Sequence, residues 1–250
     1  MLKIWREIKL KVHSKTDIGL VRQSNQDFVI NKIFSKSIAW SIVCDGMGGA
    51  KAGDIASKTA ATKISEFLET SLGKETTDDI HQLHLEAVKY ANKTIFQNAY
   101  INEELTGMGT TVVISMIHEG YLHTSHVGDS RAYLIRDNII TQLTVDHSVV
   151  QEMIKNGEIT ENEAQKHPRK NLITKALGVN KTVTCDYNRT KIQKNDIIML
   201  CTDGLTNYLS SEKIKNILLK NDLKNGVDIL VDQAKDLGGN DNITVSVIEI

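Results

Sequence analysis

Apolar positions along this chain recur at two spacings, and the spacing changes in blocks. Residues 7–16 alternate apolar and polar, the mark of a strand with one face turned inward. Short apolar runs at 27–34 and 38–44 predict two more strands. From residue 52 the period becomes 3.6: Ile55, Ala56, Thr59, Ala60, Ile64, Phe67 and Leu68 share one face, which predicts a helix over 52–70. Thr77-Asp78 open a second helix that runs to residue 98, with Leu83, Ala87, Val88, Ala91 and Ile95 as its stripe. Strands return at 110–117 and 121–127 around His118-Glu119-Gly120, and at 131–135 and 139–143 around Asp137-Asn138. A short helix is expected over 146–156 and a polar, irregular stretch over 157–178. Strands follow over 182–192 and 196–201, then helices over 211–220 and 226–237, then a last strand over 243–250.

Strands in runs and helices in pairs make an α+β order, not the alternation of a parallel sheet. The pattern permits two sheets packed face to face, each covered by two helices. A chain of 250 residues suits one large domain, 1–250, with a core that needs no disulfide. No repeat or low-complexity linker interrupts it, and Pro168 is the sole proline. A net charge of −1 provides no bulk field for nucleic acid or an anionic membrane. Three cysteines, Cys44, Cys185 and Cys201, fit a reducing compartment. Residues 1–15 lack the apolar core of a signal peptide, and no apolar run approaches the roughly 18 residues of a membrane span. A cytoplasmic protein is therefore expected.

The chemistry-bearing feature is a set of aspartates where apolar strands stop. Asp45 follows Ala39-Trp40-Ser41-Ile42-Val43-Cys44, and Asp203 follows Ile197-Ile198-Met199-Leu200-Cys201-Thr202. A glycine comes directly after each. Asp129 follows the 121–127 strand, Asp241 precedes the last strand, and Asp27 opens an early one. Strand ends hold side chains rigidly, and glycine lets backbone come close. Converging carboxylates repel strongly at low dielectric, and a hard divalent cation held by oxygen is the simplest compensation. An isolated Asp-Gly is most often just a turn pair, so spacing alone leaves the metal reading and the turn reading open. No cysteine or histidine spacing suits zinc.

Other phosphate chemistries fail on absent residues. Six positions after Cys44, Cys185 and Cys201 stand Ala50, Lys191 and Asn207, none of them the arginine of a cysteine phosphatase. Asp-x-Asp never occurs, Gly73-Lys74 is followed by Glu75 rather than by the hydroxyl residue of a phosphate-binding loop, and no Gly-x-Ser-x-Gly elbow is present.

At these residues the chain resembles the metal-dependent type-2C protein phosphatases in their single-domain bacterial form. Seven fragments match in order. They are Thr16-Asp17-Ile18-Gly19 through Arg22 to Asn25-Gln26-Asp27; Val43-Cys44-Asp45-Gly46-Met47-Gly48-Gly49; and Gly107-Met108-Gly109-Thr110-Thr111. Then come His126-Val127-Gly128-Asp129-Ser130-Arg131, Leu143-Thr144-Val145-Asp146-His147-Ser148, Cys201-Thr202-Asp203-Gly204-Leu205 and Gly239-Asn240-Asp241-Asn242-Ile243-Thr244. The resemblance implies a four-layer α-β-β-α sandwich, two mainly antiparallel sheets flanked by helix pairs, with the site in a cleft at one edge. It implies hydrolysis of phosphoserine and phosphothreonine in proteins by a metal-activated water, with Mn²⁺ or Mg²⁺ as cofactor. Asp45 would bridge two ions and the Gly46 carbonyl would bind one of them. Asp203 and Asp241 would complete the first shell, and Asp27 would act at the second ion through water. Asp129, with Asp203, would hold a third and weaker ion. Arg22 would bind the substrate phosphate. Two ions about 3.5–4 Å apart lower the pKa of a shared water toward neutrality, and an arginine fork matches phosphate oxygens.

Two departures stand out. Gln26 occupies a place where many members have glutamate, and Met47 one where animal members have histidine. His126 reads as a packed core histidine, His147 as a turn-fixing one, and Asp17 as structural with Gly19. The 157–178 stretch corresponds to the family's flap beside the active site, and its basic run at Arg169-Lys170 suits phosphopeptides. The partners expected are phosphorylated proteins, namely a serine/threonine kinase and its substrates, with the enzyme a monomer. Three rivals remain: a phosphatase for an anti-sigma antagonist, a phosphoprotein-binding module of the same fold without catalysis, and a metal nuclease. The near-zero net charge disfavours the last.

Overall fold

A computed structural model describes residues 9–48, 52–73 and 79–250. The first two residues of the expected strand 7–16, residues 1–8 of the leader reading, Gly49 of the glycine-rich run and the Thr77-Asp78 helix opening lie outside the described residues.

Strands β1 (Lys11–Asp17), β2 (Asp27–Ile33) and β3 (Ala39–Met47) precede helices α1 (Ala52–Leu72) and α2 (Ile80–Ile101). After a 3-10 turn at Glu103–Leu105 come β4 (Gly109–Thr110), β5 (Val112–His118), β6 (Tyr121–Val127), β7 (Arg131–Arg136) and β8 (Ile139–Gln142). Short helices α3 (Val149–Lys155) and α4 (Glu161–Ala164) lead to β9 (Asp186–Lys191) and β10 (Ile197–Cys201). Helices α5 (Asp203–Thr206), α6 (Ser211–Lys220) and α7 (Leu223–Asp236) lead to β11 (Ile243–Glu249). The pairings between these strands are antiparallel, in sheets ordered β1-β11-β10-β7-β8 and β2-β3-β5-β6-β9, with β4 paired to β3.

The central strands are apolar on both faces because both faces are covered. On β3, Trp40, Ile42 and Cys44 pack beneath α1 and α2, while Ala39 and Val43 face the other sheet. On β10, Met199 and Cys201 pack beneath α6 and α7, while Ile198 and Leu200 face the first sheet's partner. Three cores thus separate four layers, the expected α-β-β-α sandwich. Alanines 56, 60, 87 and 91 let α1 and α2 lie close together over the sheet. Full burial of a side chain such as Ile42 or Leu200 contributes roughly 1.5–3 kcal/mol, so these cores rather than surface ion pairs hold the stack. Between the sheets a polar chain runs from Ser41 Oγ to Ser246 Oγ at 2.9 Å, on to Asn31 Oδ1 at 2.8 Å, and from Asn31 Nδ2 to Ser14 Oγ at 2.8 Å. It ties β1 and β11 of one sheet to β2 and β3 of the other, and a slipped register would leave its buried groups unpaired.

Several boundaries differ from expectation, each for a local reason. Strand β3 does not stop at Asp45 but continues to Met47, because Gly46 and Met47 pair with Thr110 and Gly109 of β4. The strand expected over 182–192 forms only at Asp186–Lys191. It is an edge strand paired with β6, and that ladder ends where His126 meets Asp186, one residue before the end of β6; Val183 and Cys185 pack against the α1–α2 core instead. Helix α3 starts at Val149, capped by Ser148, whose Oγ accepts from Gln151 N, because Asp146 is engaged by Arg131. Helix α7 starts three residues before the expected Gly226, under an Asp222 cap. Four-residue α5 leaves no periodic trace in the sequence and was not expected. The 137–138 turn has positive φ at both residues, 50° and 62°, as a tight hairpin requires.

Candidate active site

Asp27 and Asp45 lie opposite each other across the β2–β3 ladder. Asp129 sits in the β6–β7 turn, Asp203 opens α5 directly after β10, and Asp241 precedes β11. All five therefore come to one edge of the two sheets. There a cleft of about 780 Å³ is walled by Arg22, Asp45, Gly46, Asp129, Asp203 and Asp241. Asp27, 5% exposed, stands behind that wall. Its Oδ2 accepts from Thr202 Oγ1 at 2.9 Å. Arg22, on the β1–β2 loop, reaches Asp241 Oδ2 with Nη2 at 2.8 Å.

The carboxylates strain against ionisation. Burial, and then the charges of Asp203 and Asp241, pushes Asp27 up to about 7 against the hydrogen bonds from Thr244 and Thr202. Burial and the charges of Asp203 and Asp146 push Asp129 up to about 7. Asp45 is raised well above the carboxylate range by burial and by all four neighbours. Asp203 is raised by burial and Asp241, against the pull of Asn207 and of Arg131 and Arg22. The buried oxygens Asp27 Oδ1 and Asp203 Oδ1 have no hydrogen-bond partner. Carboxylates crowded together with oxygens left unpaired fit a hard divalent cation, and the all-oxygen set suits Mn²⁺ or Mg²⁺.

Hydroxyl and amide groups hold this arrangement, and no separate pattern along the chain singles them out. Thr111 Oγ1 accepts from Asp45 N at 2.9 Å and bonds Ser130 Oγ at 2.7 Å, while Thr110 Oγ1 donates to the Asp45 carbonyl at 2.9 Å. Thr202 Oγ1 also accepts from Thr244 N at 3.0 Å. Asn242 Oδ1 accepts from Gln26 N at 2.8 Å, and its Nδ2 donates to the carbonyls of Ile18 and Ser24 at 3.0 Å each, which fixes the loop that carries Arg22. Their only signal in sequence is polarity inside an apolar strand or a matched fragment, where a buried polar group must find a partner.

Neither glycine that follows an aspartate makes a turn. A Cβ on Gly46 would lie 2.0 Å from the Gly53 carbonyl oxygen, and one on Gly204 would lie 1.9 Å from that of Asn242. Both are points of close backbone approach. Gln26 lines the cleft, yet its amide Nε2 donates to Gly48 O at 3.4 Å and its Oε1 lies against Gly53. A glutamate could not make that donation, so Gln26 braces the glycine loop. Met47 lies over Gly109 of β4.

His126, His147 and Asp186 form a second cluster that offers ligand atoms within 4.8 Å of one another. The hydrogen bonds argue against a cation there. His126 Nε2 donates to Val145 O at 2.7 Å. His147 Nδ1 accepts from Gly128 N at 3.1 Å, so its proton is on Nε2, which lies 3.3 Å from Asp186 Oδ1. Lys175 Nζ is 3.2 Å from that same nitrogen. Burial lowers both histidine pKa values, and the rings stack at 4.7 Å. His147 N also donates to Gly128 O at 2.9 Å. The pair fixes the backbone before Asp129, as the core and turn readings expect. Asp17 accepts from Gly19 N and from Lys235 Nζ, a structural role.

The 157–178 stretch is less open than its composition suggests. Its α4 carries a complete capping box between Thr160 and Glu163. Ile173 and Leu177 bridge back to Ser148 and Thr110, and Asn171 and Ile173 reach the cleft wall.

Comparison with known proteins agrees with this geometry. Residues 21–230 match the family described as protein phosphatase 2C. The chain is 37% identical over 238 residues to the serine/threonine phosphatase stp of Listeria welshimeri, covering 94% of each. It superposes on the Mycobacterium tuberculosis serine/threonine phosphatase PstP/Ppp with a TM-score of 0.88, at 32% identity, over 96% of this chain and 98% of that one. It also superposes, with a TM-score of 0.85 at 32% identity, on the catalytic domain of PstP in complex with two manganese ions, over 96% of this chain and 97% of that one.

Proposed function

The chain belongs to the protein phosphatase 2C family, and from that premise we propose how its own residues perform the reaction. The protein is a serine/threonine phosphatase that hydrolyses phosphoserine and phosphothreonine in proteins and depends on manganese or magnesium. One observation carries the assignment of residues: five aspartates converge at one sheet edge with buried oxygens left unpaired. The same observation, with catalysts as relatives, disfavours a binding module that has lost its chemistry.

Bound at these carboxylates, divalent ions supply the positive charge the cluster lacks and acidify a water for attack on phosphorus. Asp45, central to the cluster, would hold the ions together with the Gly46 carbonyl beside it. Asp203 and Asp241 would complete the protein's ligands, Asp27 would act from behind through water, and Asp129 with Asp203 would hold a further ion more weakly. Thr202 and Thr111 keep the Asp27 side chain and the Asp45 backbone from rotating away. Arg22, 53% exposed at the side chain, spends Nη2 on Asp241 and keeps its remaining N–H groups for phosphate oxygens. It orients the phosphoryl group and offsets charge that grows on those oxygens as the bond to the leaving group breaks.

Residues 157–178 serve as a flap over this cleft. The pairing of β1 with β11, at opposite ends of the chain, supports reading 1–250 as one phosphatase domain. The partners are a serine/threonine kinase and that kinase's substrates, the working form is a monomer, and the compartment is the cytoplasm. Among the described residues no helix is long and apolar enough to cross a membrane.

The test is phosphate release from a phosphothreonine peptide, with Mn²⁺ and with EDTA, by the parent and by Asp203→Ala. Turnover that needs Mn²⁺, stops with EDTA and falls at least about 100-fold in the variant is the expected result. A folded parent inactive with every divalent ion would overturn the reading.

A further inference from the structure

The catalytic cleft does not end at Asp129 and Asp203. Both residues, together with Asn171, also line a second groove of about 630 Å³, so the two hollows meet at these residues. One wall is the 157–178 segment, which contributes Lys166 and Lys170; across from it lie Ser210 and Ser211 at the start of α6.

The charges along this groove are unequally committed. Arg131 is taken by Asp146 through bonds of 2.9, 3.0 and 2.6 Å. Asp129 and Asp203 belong to the aspartate cluster. Glu161 stands alone among the remaining acids. Lys166 and Lys170 are exposed, and neither side chain has an ion pair or hydrogen bond among the described residues. The ten-residue α6 aims its N-terminus at the same space, capped by Ser210, and Glu212 in its first turn is engaged by Lys215 at 2.7 Å. The positive end of a helix favours anions within its first turn. Two uncommitted lysines and a helix N-terminus therefore act on one groove from different elements.

We propose that this groove receives the residues that flank the phosphorylated serine or threonine, and that it selects substrates with acidic side chains there. The inference rests on the phosphatase reading above and adds a preference to it. A phosphoryl group at the aspartate cluster places the adjoining polypeptide at the groove mouth, since Asp129 and Asp203 line both hollows. Acidic side chains gain nothing near five aspartates and gain most beside Lys166 and Lys170. The side chains of Gln151 and Gln165 on the groove wall offer donors and acceptors to a peptide backbone.

The test uses the full chain with Mn²⁺ and three phosphothreonine peptides, flanked on both sides by aspartate, by alanine or by lysine, with p-nitrophenyl phosphate as the small substrate. The aspartate-flanked peptide should show a KM about 5- to 10-fold below that of the alanine one, as expected of rim charges. In Lys166→Glu/Lys170→Glu that advantage should vanish and the lysine-flanked peptide should become the better substrate, with p-nitrophenyl phosphate turnover within about twofold of the parent. Such an exchange of preference would not follow from loosened packing. If charge reversal disturbs folding, Lys166→Gln/Lys170→Gln should still erase the advantage. Equal KM values for aspartate and alanine peptides in the parent, or an advantage that survives in both variants, would overturn the inference while phosphatase activity stood. Failure to turn over any phosphopeptide would instead remove the premise, and the inference with it.

Discussion

Asparagine in place of Asp45 should lower kcat on a phosphopeptide by roughly 1000-fold and, at the same time, make the EDTA-treated protein more stable. The two effects share one cause. Asp45 is raised well above the carboxylate range by burial and by Asp27, Asp203, Asp129 and Asp241. Asparagine is neutral without having to bind a proton and keeps the shape, so the crowding with all four is relieved at once. A gain of roughly 1–2 kcal/mol is expected, because sites that concentrate like charge for function give up stability. The pH dependence has a definite sign. Asp27 and Asp129 bind protons up to about 7 in the fold, against the ordinary 3.8 in the unfolded chain. Between those values the native state holds the extra protons, so stability without metal falls as pH rises from about 4 toward 7. Urea midpoints in EDTA at pH 5 and pH 7.5 should show that fall in the parent and a shallower one in Asp45→Asn. With Mn²⁺ the order reverses, since the parent alone keeps the full ligand set. A variant less stable than the parent in EDTA, or one retaining a tenth of kcat, would contradict this account.

The second large effect is expected at Gly46. An alanine Cβ there would lie 2.0 Å from the Gly53 carbonyl oxygen and 2.7 Å from that of Gln26, both of them backbone. No side-chain rotation relieves either contact, so the start of α1 or strand β3 must shift, at a cost of about 3 kcal/mol. Because Asp45 is the adjacent residue, the same shift moves the centre of the aspartate cluster, and kcat should fall about 100-fold, as a 1 Å misplacement does elsewhere. Gly73→Ala is the control. Its nearest neighbours would be 3.5 and 3.7 Å away, ordinary contact, and both melting temperature and turnover should hold. Comparable losses at the two positions would show that Gly46 is not a point of close approach.

Much of this was legible in order along the chain. Short apolar runs located most strands, since a two-sided core demands apolar residues on both faces of β3 and β10. The helical stripe of α2 placed Leu83, Ala87, Val88, Ala91 and Ile95 against the core. The five aspartates came to one edge because they stand at or near strand ends, which gather at the edges of antiparallel sheets, and Arg22 reaches the same edge from the β1–β2 loop. What stayed hidden depended on partners distant in sequence. The extension of β3 past Asp45 needs β4, where Thr110 and Gly109 pair with Gly46 and Met47. The shortened β9 reflects where its ladder with β6 ends and Val183 and Cys185 turn into the core. Thr111, Thr202 and Asn242 acquire roles only once loops far apart in the chain meet them. The Asp-Gly pairs read as turns because a local pattern carries no information about a backbone arriving from elsewhere.

The pairing of β1 with β11 governs how the protein is made. Lys11 and Glu249, 238 positions apart, meet across that ladder. On a ribosome that emits the chain from its N-terminus, β1 waits for nearly the whole length to be synthesised before its partner exists. Asp241, just before β11, arrives equally late. A nascent phosphatase is therefore inert until translation has passed residue 249, and such long-range closure is slow. Phosphorylated proteins therefore meet no activity from a chain whose last strand is still being made.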